Sequence, residues 1–372
     1  MEIADTRLKV AMFGHKHTDE TSGGIEVVVT ELVDRLSRHG DRVTVINRWE
    51  LDKPARRYPK RKNVLVLNAP TVSATKLNAA LSSFGATFAC LFGHYDVVEI
   101  HAEGQCVFIP LLKLRGRKVV AFIHGLDWQR GKWKGLASRY IRFGEKMAGW
   151  YADEIIVLSE DEQAYFRDTY GRRARLVENG STAHLTNRTQ EIEKFGLARG
   201  SYFLYLGRIV PEKRLDLLIR AYLAADTDKQ LVVAGAVPED FRHTEEYREA
   251  EASRRIIFTG FAAGELKAEL YANTHCFVIP SDLEGQSVAL LDAMGYGVRV
   301  LCSDIQENTR LLHGFGDVFR KGDAGHLAEK LTEISRRPFL RSAGQADYIR
   351  KEHGWDRTFR ENYEVLRRAA RK

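Results

Sequence analysis

The sequence predicts an α/β protein made of two doubly wound, Rossmann-like domains facing each other across a cleft. Three observations carry this. Short apolar runs of strand length alternate with stretches of helical periodicity along most of the chain. The alternation comes in two sets, separated by a polar, irregular stretch from Ala183 to Arg199. Each set opens strand–loop–helix, the start of a βαβ unit with parallel pairing. The 372 residues suffice for two cores of that size.

In the first set, "LKVAMF" at 8–13 is a strand and "HKHTDETSGG" a polar loop ending in two glycines. Ile25, Val28, Val29, Leu32, Val33 and Leu36 then recur at helical spacing until Gly40 stops the helix. "RVTVINR", "DVVEIHA", "KVVAFIHG" and "EIIVLS" are strands, and "ASRYIRFGEKMAGWYA" is a helix. Ser159, with Glu162 three residues on, carries a capping-box signature. The uncharged stretch from Asn78 to Tyr95 reads as a core helix.

The second set has strands "YFLYLG", "QLVVAG", "RIIFTG", "CFVIPS" and "VRVLCS". Helices are expected at "RLDLLIRAYLAA", at "AGELKAELYANT", from Ser287, and from about Asp323 to the end. The expected division is a first domain over 1–183, a linker over 184–200 and a second domain over 201–350. Residues 351–372 are expected to form a last helix packing back toward the first domain.

At 44% hydrophobic and 29% charged, the composition is that of a soluble globular protein. No run of ~20 apolar residues offers a membrane span, and the start is too short in apolar run for a signal peptide. Cys90, Cys106, Cys276 and Cys302 are far apart, with neither CxxC nor metal-ligand spacing, so buried free thiols in a reducing cytosol are expected. The net charge of +7 is uneven. Residues 1–190 hold 29 Lys and Arg against 22 Asp and Glu, while the remainder holds 28 of each, which hints at a polyanionic or membrane-surface partner.

Ligands of doubly wound sheets bind beyond the carboxyl ends of the strands, and four stretches there carry chemistry. "GRIVPEK" places Arg208 and Lys213 in a loop feeding a helix N-terminus; two cations and that positive pole suit a diphosphate, though solvated surface charges fit the same pattern. "SGG" at 22–24 either lets backbone approach a phosphate or makes a tight turn, and it lacks the dinucleotide fingerprint. "HGLDWQRGKWKG" crowds His124, Asp127, Trp128, Arg130 and further cations at a strand end, which suits sugar or lipid-head recognition.

"EGQSVALLDAMGYG" is the fourth stretch. It sets Glu284 in a loop, Ser287 at an N-cap and Asp292 about one turn into a helix. Two carboxylates facing a cleft suit sugar and ribose hydroxyls. A capping acid and a first-turn acid, favoured by the helix dipole, fit equally.

Together and in this order, "SGGIE", "FIHGLD", "GRIVPEK" and "EGQSVALLDAMGYG" resemble the retaining glycosyltransferases of family four (group 1), with the GT-B fold. "HGLDWQRGKW" resembles the bacterial enzymes of capsule, O-antigen or exopolysaccharide synthesis. The resemblance implies that Arg208 and Lys213 hold the donor diphosphate, that Glu284 binds donor-sugar hydroxyls and that Asp292 binds the ribose. It implies that Gly23 and Gly24 approach diphosphate and sugar, and that His124 lies near the donor hexose. Gly207, Gly285, Gln286, Ser287, Val288 and Phe261 complete the expected donor site, with Asp127, Trp128 and Arg130 on the acceptor side. Three departures stand out: Asp292 where the family has Glu, "AGAVPED" in place of a glycine-rich loop, and "VENGST" at the domain junction.

The expected activity is metal- and cofactor-independent transfer of a hexose, with retention, from a nucleotide-diphosphate sugar (a UDP-sugar first) to a lipid-linked or oligosaccharide acceptor. The expected location is cytoplasmic, peripheral at the inner face of the plasma membrane. The basic segments 56–62 and 130–135, the latter with Trp128 and Trp133 interleaved, are the expected contacts with anionic lipid. Two rivals are a non-hydrolysing nucleotide-sugar 2-epimerase of the same fold and a non-enzymatic basic binding protein. No nucleic-acid module is recognisable, so nucleic acid is not an expected partner.

Overall fold

Among the residues described by the computed structural model (7–18, 23–53, 58, 60–72, 78–129 and 135–372), all strands pair in parallel. They form two sheets, one in each of two units: Met1–Asn179 with Trp355–Lys372, and Gly180–Gly354.

The first sheet contains β1 (Lys9–Phe13), β2 (Arg42–Glu50), β3 (Val64–Thr71), β4 (Val97–His101), β5 (Val119–Phe122), β6 (Glu154–Val157) and β7 (Arg175–Leu176), in the order β3-β2-β1-β4-β5-β6-β7. The second contains β8 (Tyr202–Leu206), β9 (Gln230–Ala234), β10 (Ile256–Gly260), β11 (Cys276–Ile279), β12 (Val300–Ser303) and β13 (Asp317–Phe319), in the order β10-β9-β8-β11-β12-β13. In each sheet the chain builds outward from its first strand, then returns and builds the other way. The switch points lie between β1 and β4 and between β8 and β11, and a doubly wound sheet places its ligand crevice there.

Parallel strands are covered on both faces and so read as continuous apolar runs. Val119–Phe122 of β5 is buried throughout. In the second unit, Leu204, Val232, Phe277 and Val300 face one core. Their neighbours Phe203, Leu231, Cys276 and Leu301 face the other, as the period of two requires. In the first unit, Val98, Ile100 and Ala121 pack with Ala86, Ile109 and Ala148 from the helices Asn78–Phe92, Ile109–Leu114 and Leu136–Tyr151. Glu99 points the opposite way and accepts a hydrogen bond from Asn362 on the last helix, Trp355–Arg371, at 2.6 Å. All four cysteines are free and buried.

Several elements differ from expectation. Strands β3 and β13 were not expected. Both are outermost strands of their sheets, where one side of the strand carries little burial pattern. The expected core helix at 78–95 ends at Phe92 and turns Phe84, Phe88 and Phe92 outward, each more than half exposed. An uncharged sequence gives no polar side from which to read a face. Residues 184–200, expected as a linker, carry the helix Gln190–Glu193 and bury Ile192 and Leu197 in a core of the second unit.

Candidate active site

In the second unit, four neighbouring strands, β10-β9-β8-β11, deliver Phe261, Gly235, Gly207–Lys213 and Ser281–Ser287 to one edge of the sheet. A Cβ on Gly235 would lie 2.2 Å from the Gly207 carbonyl oxygen, so only glycine permits this approach of two loops. After β8 the chain makes a short turn, Pro211–Lys213, before the helix Leu215–Ala224. The Tyr205 hydroxyl donates to the Arg208 carbonyl at 2.8 Å and fixes the loop, while the Arg208 side chain is exposed. The Asp282 amide donates to the Glu212 carbonyl at 2.9 Å, tying this loop to the one after β11. Across that tie, Lys213 pairs with Glu284, whose side chain is only 8% exposed.

The structure thus brings Lys213 and Glu284 together over the β8/β11 switch point. Arg214 sits in the left-handed region at φ 49° and is held there by Asp282 at 2.8 Å and Asp216 at 3.2 Å. Gly285 and Gln286 lie in the loop before Ser287, whose hydroxyl caps the helix Val288–Gly295 by accepting from the Leu290 amide at 3.3 Å. Val288 is the first helical residue and is buried. The exposed Phe261 ring follows β10.

Asp292 is buried deeper than the sequence suggested, 1% exposed within that helix. Its Oδ1 accepts from the Thr182 amide at 2.7 Å and from the hydroxyls of Thr182 at 3.0 Å and Ser181 at 3.1 Å. Its Oδ2 pairs with Lys267 Nζ at 2.8 Å. The two acids flanking the apolar run Val288–Leu291 therefore have a local explanation: each meets a lysine of the same unit. Lys267 was missed, because nothing in "AGELKAELYANT" distinguishes it from an ordinary helix-surface charge.

In the first unit, the adjacent strands β1, β4 and β5 deliver Gly14–His15, His101–Glu103 and His124–Trp128 to the corresponding edge. A Cβ on Gly14 would lie 2.1 Å from the His101 carbonyl oxygen. Ala102 is held at φ 75°, ψ 151°, a conformation nearly restricted to glycine, and such strain concentrates at functional sites. His124 stacks on Phe122 with centroids 4.3 Å apart, and its Nε2 lies 2.9 Å from His101 Nδ1.

Burial sets the ionisation of this edge. It holds His101 well below the usual histidine range, helped by the neighbouring His124 and His15. It lowers His15 to about 4, against a hydrogen bond to Asn47. Glu99 is raised to about 7 by the same cause. Glu103 lies well above the carboxylate range, from burial first and then the charge of Asp127.

The Asp127 amide donates to Glu103 Oε2 at 2.8 Å. The Trp128 indole N–H donates to Glu145 at 2.7 Å, and the Arg142 guanidinium lies 4.8 Å from its ring centre. Gly23 and Gly24 open the helix Gly24–His39, with Gly23 extended at the cap and the buried Glu26 in the first turn accepting from the Lys16 amide at 3.1 Å. Ser22, Arg130, Lys132, Trp133 and Lys134 lie outside the described residues, as do Arg56, Arg57 and Pro59. His15, Glu99, His101 and Glu103 were not singled out from sequence; the one local signal is that His15, His101 and Glu103 sit at or just past the end of a strand, while Glu99 lies inside β4.

Comparison with known proteins identifies the family. A model of glycosyl transferases group 1 matches residues 187–351, and one of glycosyltransferase family 4 matches residues 22–182. An uncharacterised glycosyltransferase of Methanocaldococcus jannaschii is 30% identical over 329 residues, covering 80% of this chain and 81% of that protein. The O-antigen chain mannosyltransferase B of Escherichia coli is 28% identical over 44% of this chain and 45% of its own length. A UDP-Gal:alpha-D-GlcNAc-diphosphoundecaprenol alpha-1,3-galactosyltransferase of Escherichia coli is 25% identical over 60% of this chain and 62% of its own length. The chain thus spans less than two thirds of these two relatives. Among solved structures, sucrose-phosphate synthase from Thermosynechococcus elongatus superposes with a TM-score of 0.81 at 20% identity, over 97% of this chain and 98% of that one, a likeness of fold. With both halves matched to glycosyltransferase models and a relative 30% identical over four fifths of each chain, the protein belongs to the group 1 glycosyltransferases and has their GT-B fold of two Rossmann-like domains.

Proposed function

We propose that the chain is a retaining glycosyltransferase that moves a hexose from a nucleotide-diphosphate sugar, a UDP-sugar first, to a hydroxyl of a lipid-linked saccharide in the synthesis of a bacterial surface polysaccharide. The observation that carries this reading is the Lys213–Glu284 pair over the β8/β11 switch point, with Arg208 on the same loop. A diphosphate arriving there replaces Glu284 as the partner of Lys213 and leaves the carboxylate to accept from donor-sugar hydroxyls. Ser287 and the amides behind it form the mouth of the helix beside them. The relatives' names supply the substrate classes: one takes UDP-Gal and a sugar on diphosphoundecaprenol, another builds O-antigen with mannose.

In this reading the acceptor oxygen bonds to the anomeric carbon on the face from which the diphosphate departs. The bond from that carbon to the β-phosphate oxygen breaks, and the acceptor proton passes to the same departing oxygen. Configuration is retained. Arg208 and Lys213 stabilise the charge gathering on the diphosphate, His124 lies beside the donor hexose, and Asp127 and Trp128 position the hydroxyl-bearing acceptor. In this reading the chain meets its lipid-linked acceptor peripherally, at the cytoplasmic face; no described helix is long and apolar enough to cross a membrane.

The test is a thermal-shift panel of UDP, GDP, dTDP and their hexoses, since a ligand that binds only the folded state raises its stability. It is followed by NMR of the product's anomeric configuration. A rise with UDP-sugars and an unchanged anomer support the reading. Inversion overturns the mechanism, and a rise with GDP alone overturns the donor.

A further inference from the structure

Ten of the eighteen large apolar side chains exposed among the described residues lie on three helices of the first unit: Asn78–Phe92, Ile109–Leu114 and Leu136–Tyr151. The three are neighbours. Phe84 meets Phe108, in the turn leading into the second helix, edge-on at 5.7 Å. The Arg117 guanidinium, just past the second helix, donates to the Leu91 carbonyl on the first at 2.8 Å. Lys113 pairs at 2.6 Å with Asp153, just past the third.

Each helix turns one side inward and the other out. Ala86, Cys90, Leu112 and Ala148 enter the core, while Phe84, Phe88 and Phe92 recur every fourth residue on the outer side of the first helix. Leu114 is 85% exposed, and Phe143 and Trp150 stand outward from the third helix. Soluble proteins rarely leave so many large apolar groups together without a use.

The charge of this face is one-sided. Residues 78–92, 109–118 and 136–151 hold seven lysines and arginines, of which Lys113 is paired with Asp153 just past the third helix, and a single acid, Glu145. That acid is buried and taken up by Trp128 at 2.7 Å and Tyr165 at 2.7 Å, so it offsets nothing at the surface. Arg139, Arg142 and Lys146 are exposed on the same side of their helix as Phe143 and Trp150. Apolar rings interleaved with cations and no exposed acid are the pattern of a helix lying in the interface of an anionic bilayer. A two-fold dimer through this face would set cations against cations.

We propose that this three-helix face docks on an anionic lipid bilayer. Phe84, Phe88, Phe92, Leu114 and Trp150 enter the boundary between headgroups and acyl chains, and Arg139 and Lys146 meet lipid phosphates. The proposal rests on the peripheral membrane contact of the preceding reading but moves it away from Lys60–Lys62. Arg61 there is paired with Asp34, and the Lys62 carbonyl accepts from Ser37 at 2.5 Å, both partners on the helix Gly24–His39. That helix is not among those covering the core formed by Ala86, Ile109 and Ala148.

The test is co-sedimentation of the full chain with vesicles of phosphatidylcholine alone and with phosphatidylglycerol added, at low and high salt. Binding is expected only to the anionic vesicles and to weaken with salt. Phe88→Ser with Phe92→Ser should weaken it about tenfold or more per ring. Arg139→Gln with Lys146→Gln should weaken it roughly fivefold per cation. Replacing Lys60, Arg61 and Lys62 by Gln should leave it unchanged. Circular dichroism checks the fold, and should the serine variant misfold, the glutamine variant still decides.

Equal binding to both vesicles, binding to neither, or loss only in the 60–62 variant overturns the proposal. So does a lipid-free dimer abolished by the serine pair. Because the assay contains lipid and no sugar, it reads independently of transfer, and turnover on a water-soluble acceptor tests the enzymatic reading separately.

Discussion

The two units place polar groups at the same point of the same kind of sheet but manage their charge in opposite ways. Beyond β1, β4 and β5, burial keeps them neutral: His15 and His101 resist protonation, and Glu103 resists ionisation. Beyond β8 and β11 they are charged and paired, as Lys213–Glu284, Arg214–Asp282 and, deeper in, Lys267–Asp292. Desolvation explains both. An isolated buried charge shifts its pKa and neutralises, whereas a paired one persists. The difference matches the proposed division of labour, since neutral donors and acceptors suit hydroxyls and held cations suit an anionic diphosphate.

The largest expected effect tests the charged side. Arg208→Ala and Lys213→Ala should each lose roughly 2.7–4 kcal/mol of barrier reduction, the cost of removing one donor from a developing anion. The thermal midpoint should move little for Arg208→Ala, because Arg208 is exposed, whereas Lys213→Ala should also lower it, because it leaves Glu284, its side chain only 8% exposed, without its partner. Near-normal turnover in both variants would break the contrast between the units.

Asp292→Asn comes next. It removes a charge from a buried pair and leaves Lys267, itself 20% exposed, without its partner, so denaturant unfolding should show a loss of about 3 kcal/mol. Adding Lys267→Met should restore part of that. If the single variant instead raises only the KM for the donor, Asp292 serves the ribose more than the fold.

Glu99→Gln sharpens the neutral side. Burial raises Glu99 from 4.5 to about 7, so the folded chain holds that proton more tightly than the unfolded one. The resulting stabilisation is complete below pH 4.5 and is lost as the pH rises through about 7. Glutamine keeps an acceptor for Asn362 and does not titrate. Its advantage over the parent should grow across that window and level off at no more than about 3 kcal/mol. His15 has the opposite slope, its contribution lost as the pH falls from 6.5 through about 4, but it is present in both proteins and cancels. Urea titrations at a series of pH values measure the difference, and a flat difference would refute the assignment.

The smallest expected effect is none. Turnover in excess EDTA should equal turnover without it, because Arg208 and Lys213 supply the positive charge that a diphosphate needs. Loss of activity restored by Mg²⁺ or Mn²⁺ would overturn this.

Much of the site was legible as sequence. A strand followed by a glycine-bearing loop and a helix points to the carboxyl edge of a sheet, and Gly23, His124, Arg208 and Glu284 do follow strand ends there. The histidine and acids of β4 and its turn were not legible, because "VVEIHAEG" reads simply as a strand and its turn. Their meaning depends on β1 and β5 lying on either side.

The sequence by itself determined the features that arise within a few residues: the two tandem strand–loop–helix sets, the caps at Ser159 and Ser287, and the stop at Gly40. Hydrogen bonds and side-chain periods over such short spans depend on neighbours in the chain. Only the tertiary structure decided who meets whom. Asp292 bonds Ser181 across 111 positions and Lys267 across 25, so the acid that looked free for a ligand is also a buried anchor. It likewise decided that the uncharged helix Asn78–Phe92 has an outer side. An apolar pattern states that surface exists to be covered, and whether anything covers it depends on where the rest of the chain runs.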